Sequence, residues 1–284
     1  MNAVARSTDE IKKYYRNTYY DYRVVWTGRR TLAYHFGFYD EKARHHAAAL
    51  KRSNAVVAEA AALKPGDHVL DAGCGVGGTA LWMAADCGVT VRGVTLSERQ
   101  VARAKRAADE RGMSDVVSFH CEDFTAVNAP DESFDAIVII ESLCHLADKS
   151  AFFQEAFRLL KPGGKVVVAD YMRVRDDASE RETRIMEQWR DGWSISDLGT
   201  PEGHDQAARA AGFSDTLVRD VTQNMRPSLR RLYYLTYLGW PLSLLFRMMK
   251  IRNESGHPNV VASHRQYQAL NRGLWRFIHF TATK

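Results

Sequence analysis

Apolar and polar residues follow two different periods along this chain, and the change comes at Pro65-Gly66. Before it, "KARHHAAALKRSNAVVAEAAAL" spaces its apolar residues as a helix does and ends at "KPGD", a turn. After it, short apolar runs alternate with amphipathic ones. "HVLDAGC", "TVRGVTLS", "VVSFHCEDF", "FDAIVIIES" and "KVVVADYM" predict five strands. Between them "GTALWMAADCG", "ERQVARAKRAADERG" and "KSAFFQEAFRLL" predict helices, and "KPGG" predicts a turn before the fifth strand. Strands this apolar, separated by helices, imply a parallel sheet covered on both faces. Further on, "TPEGHDQAARAAGF" predicts a helix capped by Thr200 with Pro201 at its first position. "DTLVRDVT" and "LWRFIHFTATK" predict two last strands.

Three segments stand outside this alternation. Residues 1–64 form an N-terminal arm, helical and rich in aromatics, with Tyr14, Tyr15, Tyr19, Tyr20, Tyr22, Trp26, Tyr34, Phe36, Phe38 and Tyr39. Two insertions, about 173–200 and 223–273, interrupt the core of residues 65–284. In open α/β sheets the ligand sits beyond the carboxyl ends of the strands, so these additions are expected to cluster there as lids. With 284 residues, 45% of them hydrophobic, the chain can fill one large core without a second full domain. Net charge is +5, of mixed sign along the chain, so no concentrated basic stripe points to nucleic acid. The opening "MNAVARSTDEIKKYY" lacks an apolar core of signal-peptide length, and no run approaches the roughly 18 apolar residues of a spanning helix. Cys74, Cys87, Cys121 and Cys144 form no C-x-x-C pair. A reduced, cytoplasmic protein is expected.

Candidate chemistry begins at "VLDAGCGVGG". A strand, a glycine-rich turn and a helix make a ligand cradle. An acid directly before the loop, Asp71, would repel a phosphate and suits a cationic or donor group instead. In order and spacing, "VLDAGCGVGG", "GVTLSERQ", "CEDF", "FDAIVIIESLCHLAD" and "LLKPGGKVVVADY" resemble the motifs of class I S-adenosylmethionine (SAM) methyltransferases over about Asp67 to Tyr171. The second strand carries no acid at its tip, and its T-L-S-x-x-Q pattern is similar to the cyclopropane-synthase, sterol and geranyl diphosphate methyltransferase branch. The resemblance implies an α/β fold with a Rossmann-like, doubly wound, seven-stranded sheet whose last strand is antiparallel. It implies SAM as cofactor and S-adenosylhomocysteine as product. Asp71, Gly73, Cys74, Gly75, Thr95, Leu96, Gln100, Asp123, Phe124 and Glu141 are the implied cofactor contacts.

What is methylated stays open between two chemistries. "IESLCH" is similar to stretches of sterol and geranyl diphosphate methyltransferases. There a carboxylate, here Glu141, stabilises a carbocation and removes its proton after an alkene attacks the methyl. This is the favoured reading, with a hydrophobic isoprenoid or prenylated acceptor. Alternatively His145, paired with Asp170, resembles the base of O- or N-methyltransferases of natural products. A SAM-binding protein without catalysis is the remote third reading. Glu141, His145 and Asp170 are the catalytic candidates; Tyr19, Tyr20, Phe36, Tyr171, Trp189 and Trp193 are the candidate pocket walls. No metal-ligand spacing is present; a diphosphate would have to use arginines such as Arg226, Arg230 and Arg231. "YLTYLGWPLSLLFRMM" suits peripheral contact with a membrane or a second subunit, and the arm could also reach across a homo-oligomer.

Overall fold

The structure is a computed structural model and describes residues 6–21, 31–248 and 256–284. Tyr22 and Trp26 lie outside the described residues, as do the side chains of Tyr19, Tyr20 and Phe246. The seven strands are β1 (His68–Ala72), β2 (Thr90–Thr95), β3 (Val117–Cys121), β4 (Phe134–Ile140), β5 (Leu160–Arg173), β6 (Ser214–Asp220) and β7 (Trp275–Thr283). They form one sheet in the order β3-β2-β1-β4-β5-β7-β6. β7 runs antiparallel between β5 and β6, as expected for the final strand, while β1 to β5 pair in parallel. The expected turn at "KPGG" is a local irregularity inside a longer β5. Phe134 pairs with Leu160 and Ala136 with Lys165, so residues 161–164 stand out of the ladder, with Gly163 at φ 79°.

The helices, among the described residues, are α1 (Thr8–Asp21), α2 (His46–Ala60), α3 (Gly78–Cys87), α4 (Glu98–Asp109), α5 (Lys149–Leu159), α6 (Glu180–Gly192), α7 (Pro201–Ala211), α8 (Thr222–Met248) and α9 (Gly256–Asn271). Their ends follow local chemistry. Ser97 caps α4 by accepting the Gln100 N–H, and Ser179 and Glu182 close a capping box on α6. Thr200 caps α7, with Pro201 behind it and Gly212 ending the helix in the left-handed region.

Because the sheet is parallel at its centre, both faces are buried, and two hydrophobic clusters result. One face packs Leu70, Ile137, Val166 and Phe280 against Phe152 and Phe153 of α5 and Ala208 of α7. The opposite face packs Val69, Val138, Val167 and Phe277 against α3 and α4, and against the arm and insertions. The latter contribute Tyr14, Phe36 and Phe38 from the arm, Trp189 from α6 and Leu229 from α8. The additions thus share a core with the sheet, and α9 packs on both α6 and α8.

Candidate active site

β1 lies between β2 and β4, where the direction of strand progression reverses, and a cavity opens beyond the strand ends there. Its volume is about 260 Å³. The glycine loop forms the floor. Gly73 sits at φ 80°, and a Cβ there would stand 2.5 Å from Ser142 Oγ. Ser142 fixes that approach by donating to the Gly73 carbonyl at 3.3 Å. Only glycine satisfies both the backbone conformation and the contact.

Asp71, at the end of β1, is 2% exposed, and its Oδ2 has no hydrogen-bond partner among the described groups. Burial lifts its pKa to about 7, against a lowering contribution from the Ala80 N–H. A buried carboxylate oxygen without a donor, in a cavity wall, is incomplete until a cationic or N–H group arrives. Around it stand Gly73, Cys74, Gly75, Thr95, Leu96, Gln100, Asp123, Phe124 and Glu141, all lining the same cavity. Thr95 Oγ1 donates to Gln100 Oε1 at 2.6 Å, tying the β2 tip to the first turn of α4. Asp123 Oδ1 accepts from the Thr125 N–H and hydroxyl, which fixes the turn after β3. This set fits SAM: a carboxylate for the ammonium end, a side-chain-free floor, polar groups at the β2 tip and an acid beside Phe124 at the far end.

The other end of the cavity holds the reactive candidates. Glu141 follows β4 at φ 50°, an uncommon conformation for a residue with a side chain. Its Oε1 accepts the Phe36 N–H at 2.6 Å and its Oε2 accepts the Tyr171 hydroxyl. Burial raises its pKa to about 8, and the hydrogen bonds from Tyr171 and Phe36 oppose that rise. Glu141 therefore clasps the arm to β5 while facing the cavity.

His145 lies in a 3-10 turn, Leu143–His145. Its Nδ1 is 2.9 Å from the Ser194 carbonyl, an acceptor only, so the proton is assigned to Nδ1. Nε2 then accepts from the Tyr15 hydroxyl at 2.8 Å. Burial lowers the His145 pKa to about 4, which keeps the imidazole neutral.

The expected His145–Asp170 pairing does not form. Asp170 is 1% exposed and accepts the backbone N–H groups of Cys144 and Tyr171 at 2.9 and 2.8 Å. It does not line the cavity and acts as an anchor for the loop after β4. Among the expected walls, Tyr171 and Trp193 line the cavity. Trp189 and Phe36 do not; they form the layer behind, Trp189 against Tyr171 and Trp275, and Phe36 stacked on Trp193. Arg226, Arg230 and Arg231 are also absent from the lining; Arg226 bonds Asn271 and Arg231 approaches His46. No group of His, Cys, Asp and Glu able to hold a metal occurs among the described residues.

Two contributors escape sequence reasoning. Tyr15, one tyrosine among many in the arm, reaches a histidine 130 positions away. Lys149 is 8% exposed and donates to the carbonyls of Leu143 and Asp197, holding the His145 turn against the segment after α6. Nothing local distinguishes either residue from its neighbours.

Residues 70–168 match the family described as methyltransferase domain. The chain is 33% identical over 196 residues to 27-O-demethylrifamycin SV methyltransferase of Amycolatopsis mediterranei, covering 68% of this chain and 71% of that one. It is 37% identical over 169 residues to phosphoethanolamine N-methyltransferase 1 of Arabidopsis thaliana, which covers 60% of this chain. The match spans only 33% of that longer relative. Among solved structures, the [4+2]-cyclase SpnF superposes with TM-score 0.79 at 26% identity, covering 100% of this chain and 98% of the other. The geranyl diphosphate C-methyltransferase of Streptomyces coelicolor A3(2) gives TM-score 0.72 at 18% identity over 97% of each chain, a likeness of fold. With the motif order, the strand order and the carboxylate at the glycine cradle, these likenesses lead to one conclusion: the chain belongs to the class I S-adenosylmethionine-dependent methyltransferases.

Proposed function

We propose that this protein methylates an oxygen or nitrogen acid of a small, largely apolar acceptor, using the Tyr15–His145 pair to remove its proton. The observation that carries this reading is the 2.8 Å contact between the Tyr15 hydroxyl and His145 Nε2 in the cavity wall. When bound, SAM supplies an electrophilic methyl on a cationic sulfur. Asp71 and the glycine floor hold and orient it. An acceptor O–H or N–H placed beside Tyr15 gives its proton to the tyrosine oxygen as the tyrosine proton passes to His145 Nε2. The Ser194 carbonyl accepts from Nδ1 throughout and keeps the ring aimed. Positioning in the cavity supplies much of the rate, and the base a further factor of about 10² to 10⁴. The relative with broad coverage is named for O-methylation and the plant relative for N-methylation, which supports this class of acceptor.

A second reading, C-methylation of an alkene in an isoprenoid or prenylated compound, is favoured by Glu141. Its carboxyl lies in the cavity wall with Tyr171 and Trp193, where the ionised form and the π faces would stabilise a carbocation. In that chemistry Glu141 would take the proton at the end. Both its oxygens already accept hydrogen bonds, which fits a clasp better than a base.

Turnover of Tyr15→Phe, His145→Ala and Glu141→Gln, with calorimetric S-adenosylhomocysteine binding as the folding control, separates the two. Tyr15→Phe and His145→Ala should each lose about a hundredfold or more, with partial recovery of His145→Ala at higher pH. A severe loss confined to Glu141→Gln would favour the alkene reading.

A further inference from the structure

α8 leaves one side uncovered. Met225, Leu229, Leu232, Thr236 and Ser243 are buried along its inner side. At about 100° per residue, Tyr234, Tyr237, Leu238, Leu244 and Met248 fall on the opposite side. Their exposures are 61, 57, 77, 43 and 74%. At about 1.5 Å per residue, this apolar stripe is about 21 Å long. Scattered exposed apolar residues are ordinary; a continuous stripe on one helix marks a contact surface.

Charge identifies the partner. From Thr222 to Arg252 the sequence holds six basic residues, Arg226, Arg230, Arg231, Arg247, Lys250 and Arg252, and no Asp or Glu. Arg230 and Arg231 are exposed one turn before the stripe begins. A two-fold contact between two copies of this face would bring like charges together. Among the described residues of α8 there is no acid, and its exposed cations Arg230 and Arg231 suit an anionic surface. Tyrosine beside leucine and methionine, flanked by cations, is the composition of a helix lying in a lipid interface. No helix among the described residues is long and apolar enough to cross a bilayer, so such a helix would lie on the surface.

We infer that the outer face of α8 docks on a bilayer surface bearing anionic lipids. Leu238, Leu244 and Met248 enter the boundary of the acyl chains. Tyr234 and Tyr237 sit at headgroup level, and Arg230 and Arg231 meet the lipid phosphates. The inference uses no residue of the active site and stands apart from the identity of the methyl acceptor.

Flotation of the full-length protein with phosphatidylcholine vesicles, plain or with about one third phosphatidylserine, tests it. The expected result is partition onto the anionic vesicles, about tenfold or more weaker on plain vesicles and reduced by raised salt. Leu238→Glu should weaken partition about tenfold or more, and Arg230→Glu with Arg231→Glu by a similar factor. Each variant should keep wild-type S-adenosylhomocysteine binding, which shows that it is folded. Failure of the wild type to float with anionic vesicles at low salt overturns the inference, and so does equal partition by Leu238→Glu. A wild-type dimer in light scattering that Leu238→Glu splits, with no vesicle binding, assigns the face to a second copy. Binding of an acidic polypeptide with no vesicle binding assigns it to a protein partner.

Discussion

Burial disfavours the charged form of both Asp71 and His145, an acid and a base. Burial lifts Asp71 to about 7, so near neutrality the carboxyl is partly protonated before a cation pairs with it. An ammonium group pairs with the carboxylate only. Cofactor affinity should therefore fall as pH drops below about 7, approaching a tenfold loss per pH unit, with proton release on binding. Calorimetry with S-adenosylhomocysteine in buffers of different ionisation enthalpy measures both effects. Asp71→Asn should weaken binding about tenfold or more and abolish the pH dependence. For His145 the sign is opposite to that of a partnered surface histidine. Its pKa is pushed down to about 4, so the basic form persists well below the ordinary 6.5. The acid limb of kcat at saturating cofactor, where Asp71 is already paired, should lie nearer 4 to 5 than 6.5; a midpoint at 6.5 or above would show that this imidazole is not the base. Asp71 and Glu141 were legible in the sequence because each ends an apolar strand inside a recognisable motif. Tyr15 was not, because its role arises from a tertiary contact.

At the scale of elements, α1 supplies one wall of the cavity. Thr8, Ile11, Lys12 and Tyr15 of this helix line the cavity, while the cofactor cradle is built from β1, β2, β3 and the turns that follow them. α1 is held from outside the core motifs: the Tyr14 hydroxyl bonds Asn259 of α9, and Arg6 pairs with Asp191 of α6. Removing residues before Trp26 should leave S-adenosylhomocysteine binding within a few-fold while abolishing turnover. Normal turnover by the truncated protein would exclude the arm from the site. Periodicity revealed the strands and the short helices because their apolar spacing and caps are local. The packing of α9 on α6, and of both against the arm, was hidden because it joins segments far apart in sequence.

Across the whole molecule, several buried imidazoles set the response to acid. His204 and His279 have pKa values lowered to about 4 by burial, as His145 does. Each binds its proton more weakly in the folded chain than in the unfolded one. Their effect is complete above about 6.5 and becomes destabilising as pH falls toward 4. His279 is 2% exposed between Phe38 and Phe277, and neither ring nitrogen has a partner among the described groups. His279→Leu should raise stability by about 1 kcal/mol at neutral pH, and by more at pH 5. Thermal unfolding at the two values measures it; equal or lower stability would mean that the imidazole is satisfied.

The sheet order, the glycine cradle and the relatives place this molecule in its family, and the proposed kind of acceptor rests on the Tyr15–His145 contact. Transfer of a carbon-13 methyl group from labelled SAM tests that proposal most directly. The acceptor panel should include phenols, aliphatic alcohols, amines and prenylated compounds, with product read by carbon NMR. The expected result is a labelled carbon on oxygen or nitrogen, with the signal absent in His145→Ala at neutral pH. A label on a former alkene carbon, undiminished in His145→Ala, would contradict it.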